Sequence, residues 1–295
     1  PPPGGVLKPA PFDYVKPASL EEALELRRRH GAESAILAGG QSLVPDFNQR
    51  FRSTETVIDI NGLSALSSIE ESQDIISLGA ISRYREIETS ALVAEHAPLL
   101  KMAIPEIGSP AIRNRGTIGG SVSMADPGAE LPACLCALGA NFELARAGSK
   151  RMIAAQNFFT GRFETALDND EILTRVDVPK NRVGFRSAFH EIARRKTGYA
   201  MCGVAAHGKV THQSVQDLKM VFFGTDETPM LAVNTISVIE GCAINDVPPA
   251  ELDAALSEDL HPSDDIHCSA KLRMHYAKVL TRRVLAQFIS AHGEG

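Results

Sequence analysis

Arg115-Gly116-Thr117-Ile118-Gly119-Gly120-Ser121, read with the earlier stretch Ile36-Leu37-Ala38-Gly39-Gly40-Gln41-Ser42-Leu43, decides how this chain is organised. Each stretch sets a pair of glycines beside a hydroxyl residue. Glycine adopts backbone angles that other residues avoid and lets an anion come close to the chain. Successive amides in such a turn form an anion-binding concavity, to which Ser42, Thr117 or Ser121 add hydroxyl donors. A buried anion needs that density of donors, because its burial without hydrogen bonds is very costly. One such loop would hold a mononucleotide phosphate. Two suggest a longer ligand, such as a dinucleotide, crossing between folding units, with Arg113 and Arg115 adding charge beside the second. Neither loop is a G-x-G-x-x-G opening a helix, and no G-x-x-x-x-G-K-[ST] occurs, so the spacing supports a nucleotide site of neither the Rossmann nor the P-loop kind.

Outward from the loops, the punctuation divides the chain into three units. In the first, 6–60, Ser19 and Glu22 make an S-x-x-E capping box for a helix that Gly31 closes. Ala35–Ala38 and Val57–Ile60 read as short buried strands, the latter stopped by the turn dipeptide Asn61-Gly62. The second unit, 61–178, alternates short strands (Ile75–Ala80, Asn141–Ala145, Glu171–Val178) with helices. One helix is capped by Ser82, one spans Pro98–Ile107, and one spans Leu131–Leu138 before Gly139. The competing start at an Asp126 cap would let Pro132 interrupt the hydrogen-bond ladder. The third unit, 183–291, alternates like an antiparallel sheet around Phe185, Phe189 and Ile192, then Gly203–Ala206, then Leu218–Phe223, and ends in a long helix from Ser269. Strands and helices segregate by region, which is the α+β pattern.

The bulk numbers exclude several classes. A net charge of -6, no tryptophan and 5% aromatics argue against a nucleic-acid binder. No apolar run approaches the ~20 residues that span a membrane. The opening Pro1-Pro2-Pro3-Gly4-Gly5 reads as a disordered leader or cloning remnant, neither a signal nor a transit peptide. Five scattered cysteines without CxxC spacing suit buried free thiols in a reducing cytoplasm. His261, His267 and His275 lack metal-ligand spacing, and there is no H-E-x-x-H or G-x-S-x-G, so no metal site and no acid–base catalytic residue is expected. Asp126 and Glu130, four apart, read as a solvated helix face.

Three ordered motifs then carry a resemblance: Leu37–Leu43, Arg113–Ser121 and Ala125-Asp126-Pro127-Gly128-Ala129-Glu130-Leu131-Pro132. They resemble the FAD-binding medium subunits of molybdenum hydroxylases, the carbon monoxide dehydrogenase and xanthine dehydrogenase family. The likeness extends through Phe189–Ala206 and Asp264–Ala270. It implies a two-part FAD-binding module of the vanillyl-alcohol oxidase type plus a C-terminal antiparallel sheet with helices. FAD would lie extended between the first two units, without a covalent link. Its diphosphate and ribityl chain would rest on Leu37, Ala38, Gly39, Gly40, Gln41, Ser42 and Leu43 and on Thr117, Ile118, Gly119, Gly120 and Ser121. Asp126 would bond nearby, and Tyr199 would cover the flavin ring. The resemblance also implies partners: a large subunit with a molybdopterin cofactor and a small one with two [2Fe-2S] clusters, assembled as a dimer of heterotrimers. The chain departs from the family pattern at Thr197-Gly198, often Gly-Asp, and at Met124, often histidine. His190, near a position that is lysine in some members, receives no role. Two further readings stay open: a self-sufficient FAD oxidase of the vanillyl-alcohol oxidase type, and a nucleotide-binding regulatory or assembly protein.

Overall fold

The computed structural model describes residues 8–211 and 214–290. The opening proline-rich leader lies outside the described residues. The first unit is a three-stranded parallel sheet, β1 (Asp13–Val15), β2 (Ser34–Leu37) and β3 (Thr56–Asp59), in the order β1-β3-β2. Helix α1 (Leu20–His30) begins where the capping box places it: Ser19 Oγ accepts from the Glu22 amide. The Glu22 carboxylate reaches back one residue further than the motif predicts, to the Ala18 amide at 2.6 Å. Gly31 ends the helix at φ 50°. A second helix, α2 (Leu43–Gln49), starts directly from the first glycine loop and carries Pro45 in its opening turn, where a missing amide hydrogen costs no ladder bond.

The middle unit is built on a five-stranded antiparallel sheet. Its strands are β4 (Ile69–Glu71), β5 (Ile75–Gly79), β6 (Asn141–Arg146), β7 (Ser149–Ala154) and, after a two-stranded hairpin of β8 (Phe159–Gly161) and β9 (Glu164–Thr165), β10 (Ile172–Pro179). Their order is β4-β5-β10-β6-β7. Between β5 and β6 the chain makes six helices: α3 (Tyr84–Thr89), α4 (Ala91–His96), α5 (Pro98–Ala103), α6 (Pro110–Arg113), α7 (Ile118–Met124) and α8 (Glu130–Leu138). Two expectations need correction here, and a third, the helix from Leu131 to Leu138, is met within one residue. Ser82 caps no helix; it is fully buried with its hydroxyl on the Ser67 carbonyl, and Arg83 holds the cap position, its amide on Glu86 at 2.7 Å. The α5 helix stops at Ala103, and Pro105 sits in a separate 3₁₀ turn, Ile104–Glu106. Helix α8 starts at Glu130, so Pro132 falls in its first turn and interrupts nothing.

The third unit is a four-stranded antiparallel sheet of β11 (Phe185–Ala193), β12 (Ala200–Val210), β13 (Val215–Phe223) and β14 (Met230–Leu231), in sequence order. Helices α9 (Val233–Glu240), α10 (Pro249–Asp259) and α11 (Ala270–Ser290) follow. The sheet is buried on both faces, as the alternation along its strands shows. Cys202, Val204, Ala206 and Phe222 join the core under α9–α11, whereas Ala205, Val221 and Phe223 join the core around α8. All nine residues of α8 are therefore buried, which makes this helix the common wall of two units. The Gly224 amide on the Pro127 carbonyl at 2.8 Å ties the third unit to the turn that precedes α8.

Candidate functional site

The two glycine segments meet, backbone to backbone. A Cβ on Gly39 would collide with the Arg115 carbonyl oxygen and stand 2.9 Å from Gly116 Cα. Only glycine permits that approach, and the approach forms one wall of a cavity of about 700 Å³. Gly40 takes φ +71°, the left-handed turn that sends the chain into α2. Among the described residues, the amides of Gly39, Gly40, Gln41, Ser42 and Leu43 donate to no protein acceptor. Five consecutive donors at a cavity wall form a strong anion cradle.

The second segment is not the open turn expected from its glycines. Thr117 is the N-cap of α7, and Gly119 and Gly120 lie in that helix's first turn. Its amides are already used: Ile118 donates to Ser82 O at 3.1 Å, Gly119 to Ala80 O at 2.8 Å, Gly120 to Thr117 Oγ1 at 3.1 Å and Ser121 to Thr117 O at 3.1 Å. What this segment offers the cavity is a smooth, small-residue surface and hydroxyls. Thr117, Gly119, Gly120 and Ser121 line it.

Of the other residues expected at the site, Ala38, Gln41, Ser42, Leu43, Asp126 and Tyr199 also line the cavity. Leu37 and Ile118 do not. Leu37 is a β2 residue whose carbonyl takes the Ile60 amide at 3.0 Å, and Ile118 is fully buried in the middle core. Arg113 does not supply charge to the cavity either; it is spent on the Gly108 carbonyl at 2.8 Å and on Glu88. The cavity's cations are Arg27 and Arg52. Among the described residues, neither a histidine nor a cysteine lines it.

Asp126 caps the turn ahead of α8 by accepting from the Gly128 amide at 2.9 Å. Tyr199, reached through Thr197 at φ 58°, lays its ring against Gly128 and donates its hydroxyl to the Asp126 carboxylate. A Cβ on Gly128 would stand 2.7 Å from that ring. Burial raises the Asp126 carboxyl above its ordinary range. The sequence missed Tyr84, a buried cavity residue whose ring covers Gly116 and whose phenol burial pushes up to about 12. It also misplaced Glu130. Far from a solvated face, Glu130 is 9% exposed, lines the cavity, and is raised by burial to about 7. Glu191 on β11 is raised to about 8, again chiefly by burial.

Those two acids give the stability a pH dependence. Each binds its proton more tightly folded than unfolded, so their contribution is complete below about 4.5 and is lost as pH rises through 7 and 8. His207, lowered by burial to about 4, acts oppositely but only below its ordinary 6.5. Between pH 6.5 and 8 the FAD-free protein is therefore expected to lose stability, and Glu191→Gln to flatten that fall; urea midpoints across the range check both.

Among the described residues, no helix is long and apolar enough to cross a membrane, and no group of three or more His, Cys, Asp or Glu side chains is placed to hold a metal. The five cysteines are free, and four of them are buried.

Comparison with known proteins agrees with this geometry. Residues 10–181 match the family model described as the FAD binding domain in molybdopterin dehydrogenase, and residues 187–288 match the CO dehydrogenase flavoprotein C-terminal domain. The chain is 33% identical to the glyceraldehyde dehydrogenase medium chain of Sulfolobus acidocaldarius, covering 95% of this chain and 99% of that one. It is 32% identical to caffeine dehydrogenase subunit beta of a Pseudomonas species, covering 95% and 96%. Its fold superimposes on carbon monoxide dehydrogenase from Hydrogenophaga pseudoflava with a TM-score of 0.91 at 29% identity, over 94% of this chain and 97% of that one. With both halves matched in order over nearly its whole length, the chain belongs to the family of FAD-binding medium subunits of molybdopterin dehydrogenases.

Proposed function

We propose that this chain holds FAD noncovalently across the cavity and, as the flavoprotein subunit of a molybdenum hydroxylase, passes electrons from iron–sulfur clusters on a partner to an external acceptor. The observation that carries the reading is the run of five unengaged amides, Gly39 to Leu43, in residues that all line the cavity. A diphosphate fits that cradle. Ser121 and Thr117 would flank the ribityl chain, and the Tyr199 ring, fixed by Asp126 and Gly128, would cover the flavin. The flavin supplies the redox chemistry when bound. The absence of histidine and cysteine from the lining supports noncovalent attachment.

The partners follow from the same reading. A large subunit would carry the molybdopterin cofactor, and a small one the two [2Fe-2S] clusters, in a dimer of heterotrimers. Five free thiols suit a cytoplasmic location. The division into 6–60, 61–178 and 183–291 is supported by the three main sheets, each falling in one of those spans but for Pro179, the last residue of β10. Purification tests the function directly. A yellow chain that releases its flavin in acid and turns over no substrate alone is the expected result. Flavin retained after denaturation, or oxidation of a substrate by the chain alone, would favour a self-sufficient oxidase. A chain that never takes up FAD would point to a regulatory nucleotide binder.

A further inference from the structure

Behind the first glycine loop, two side chains that do not line the cavity join that loop to the segment ahead of α7. Asn61 follows β3, and Arg83 is the N-cap of α3. The Asn61 side-chain amide donates to the Ala38 carbonyl at 2.7 Å and to the Leu37 carbonyl at 3.3 Å. Its oxygen accepts from Nη2 of Arg83, whose Nη1 donates to the Arg115 carbonyl. That carbonyl oxygen is the atom a Cβ on Gly39 would strike. The two side chains thus close a ring. It runs from Ala38 through Asn61 and Arg83 to Arg115, and returns to Gly39 across the backbone contact.

Both side chains are themselves anchored. Oδ1 of Asp59 accepts the Asn61 backbone amide at 2.9 Å and its side-chain amide at 2.6 Å, while Oδ2 accepts the Tyr14 hydroxyl. Arg83 pairs through its backbone with Thr117. On either side, the Tyr84 amide meets the Gly116 carbonyl at 3.0 Å and the Ile118 amide meets the Ser82 carbonyl at 3.1 Å. The residue types suit the task. Asparagine carries a donor and an acceptor on one planar group, and a guanidinium is a rigid fork that reaches two acceptors at once. A planar trans peptide points its carbonyl and its N–H in opposite directions. The hold of Asn61 on the Ala38 oxygen therefore turns the Gly39 N–H to the side away from Asn61.

We propose that Asn61 and Arg83 are positioning residues for the diphosphate of FAD, a strap behind the first loop that seats Gly39 on Arg115 and so aligns the amides from Gly39 to Leu43. This role rests on the FAD reading above. Neither side chain touches the ligand; both act through the backbone they hold. Asn61 belongs to the first unit and Arg83 to the second, so the strap also fixes the spacing of the two cavity walls that the glycine contact brings together. Breaking either link opens the same ring, and the loop is then free to lift from Arg115.

With the full chain, FAD affinity is measured first by quenching of flavin fluorescence; a wild type that binds no FAD overturns the FAD reading itself. Arg83→Met and Asn61→Ala are each expected to weaken FAD binding by roughly tenfold or more, the effect of losing one hydrogen bond to a charged group. The double variant is expected to bind at most about twofold more weakly than the weaker single variant, because both changes break one ring. At saturating FAD, the phosphorus resonances of the bound diphosphate are expected to move toward those of free FAD in both single variants, a signature that loosening elsewhere in the fold would not produce. Wild-type affinity in either single variant, losses that multiply in the double variant, or unmoved phosphorus resonances would each overturn the proposal and leave the FAD reading intact. Should a variant not fold, Arg83→Lys decides. It keeps the charge and loses the fork, so FAD binding must still fall severalfold, and wild-type affinity overturns the proposal.

Discussion

Valine at Gly39 is expected to empty the protein of FAD while leaving it folded. The added Cβ meets the Arg115 carbonyl oxygen and Gly116 Cα, so the first loop must lift away from the segment ahead of α7. That loop borders the open cavity, and the displacement has somewhere to go. What is lost is the alignment of the amides from Gly39 to Leu43, and with it the anion cradle. Loss of a donor set of this kind is expected to weaken FAD binding by at least a hundredfold, about 2.8 kcal/mol at 1.4 kcal/mol per factor of ten. Flavin content after gel filtration, read beside a thermal melt, checks both halves of the expectation. A normally yellow Gly39→Val protein would contradict it.

Valine at Gly119 is expected to fail differently, through the fold. The residue's amide is bonded to the Ala80 carbonyl, and a Cβ there would stand 2.6 Å from that oxygen and 2.7 Å from Ala80 Cβ. Both neighbours belong to the packed seam where α7 leaves the end of β5, next to the fully buried Ile118. Gly119 and Ala80 both border the cavity, but the clash is with backbone held by the Gly119 amide bond to the Ala80 carbonyl, so the helix and the strand end must separate. Overpacking of a rigid core costs about 3 kcal/mol or more, which for a chain of this size lowers the melting temperature by roughly 6–12 °C. By sequence alone both glycines are placed against the ligand; the packing of Gly119 on Ala80 gives it a part in the fold as well. An unchanged melting curve for Gly119→Val would contradict the packing described for α7.

The contrast between the two glycines marks the limit of what the residues announce. Gly-Gly beside a hydroxyl is the same local pattern in both segments, and both do line one cavity. Whether the amides are free is a tertiary matter. At Gly39–Leu43 the chain leaves β2 and no strand follows to take its donors, whereas at Ile118–Ser121 the carbonyls of Ala80 and Ser82 and the Thr117 side chain are already waiting. Two glycines also depress helix propensity, which is why α7 read as a turn. Tertiary packing against β5 and β10 overrides that preference.

Elements with strong local signals were legible: the Ser19 cap, the Gly31 and Gly139 stops, and the apolar cores of β5, β10, β12 and β13. Elements without one were missed. The β1 strand has three residues, α2 hides behind Pro45, and α9 and α10 carry few periodic apolar positions. Glu130 illustrates the deeper limit. Spacing places it one turn from Asp126, the arrangement of a wet helix face, yet the third unit's sheet closes over α8 and buries it. The far end of the cavity, around Arg52 to Thr54 and Leu167 to Glu171, carries no motif at all and emerges only from the meeting of the first two units.

The position of the diphosphate tests the account most directly. In a crystal structure of the FAD-loaded chain, its oxygens should lie within hydrogen-bonding distance of the backbone amides between Gly39 and Leu43, with the isoalloxazine near Tyr199. A diphosphate bound away from those amides, with the loop facing water, would contradict it.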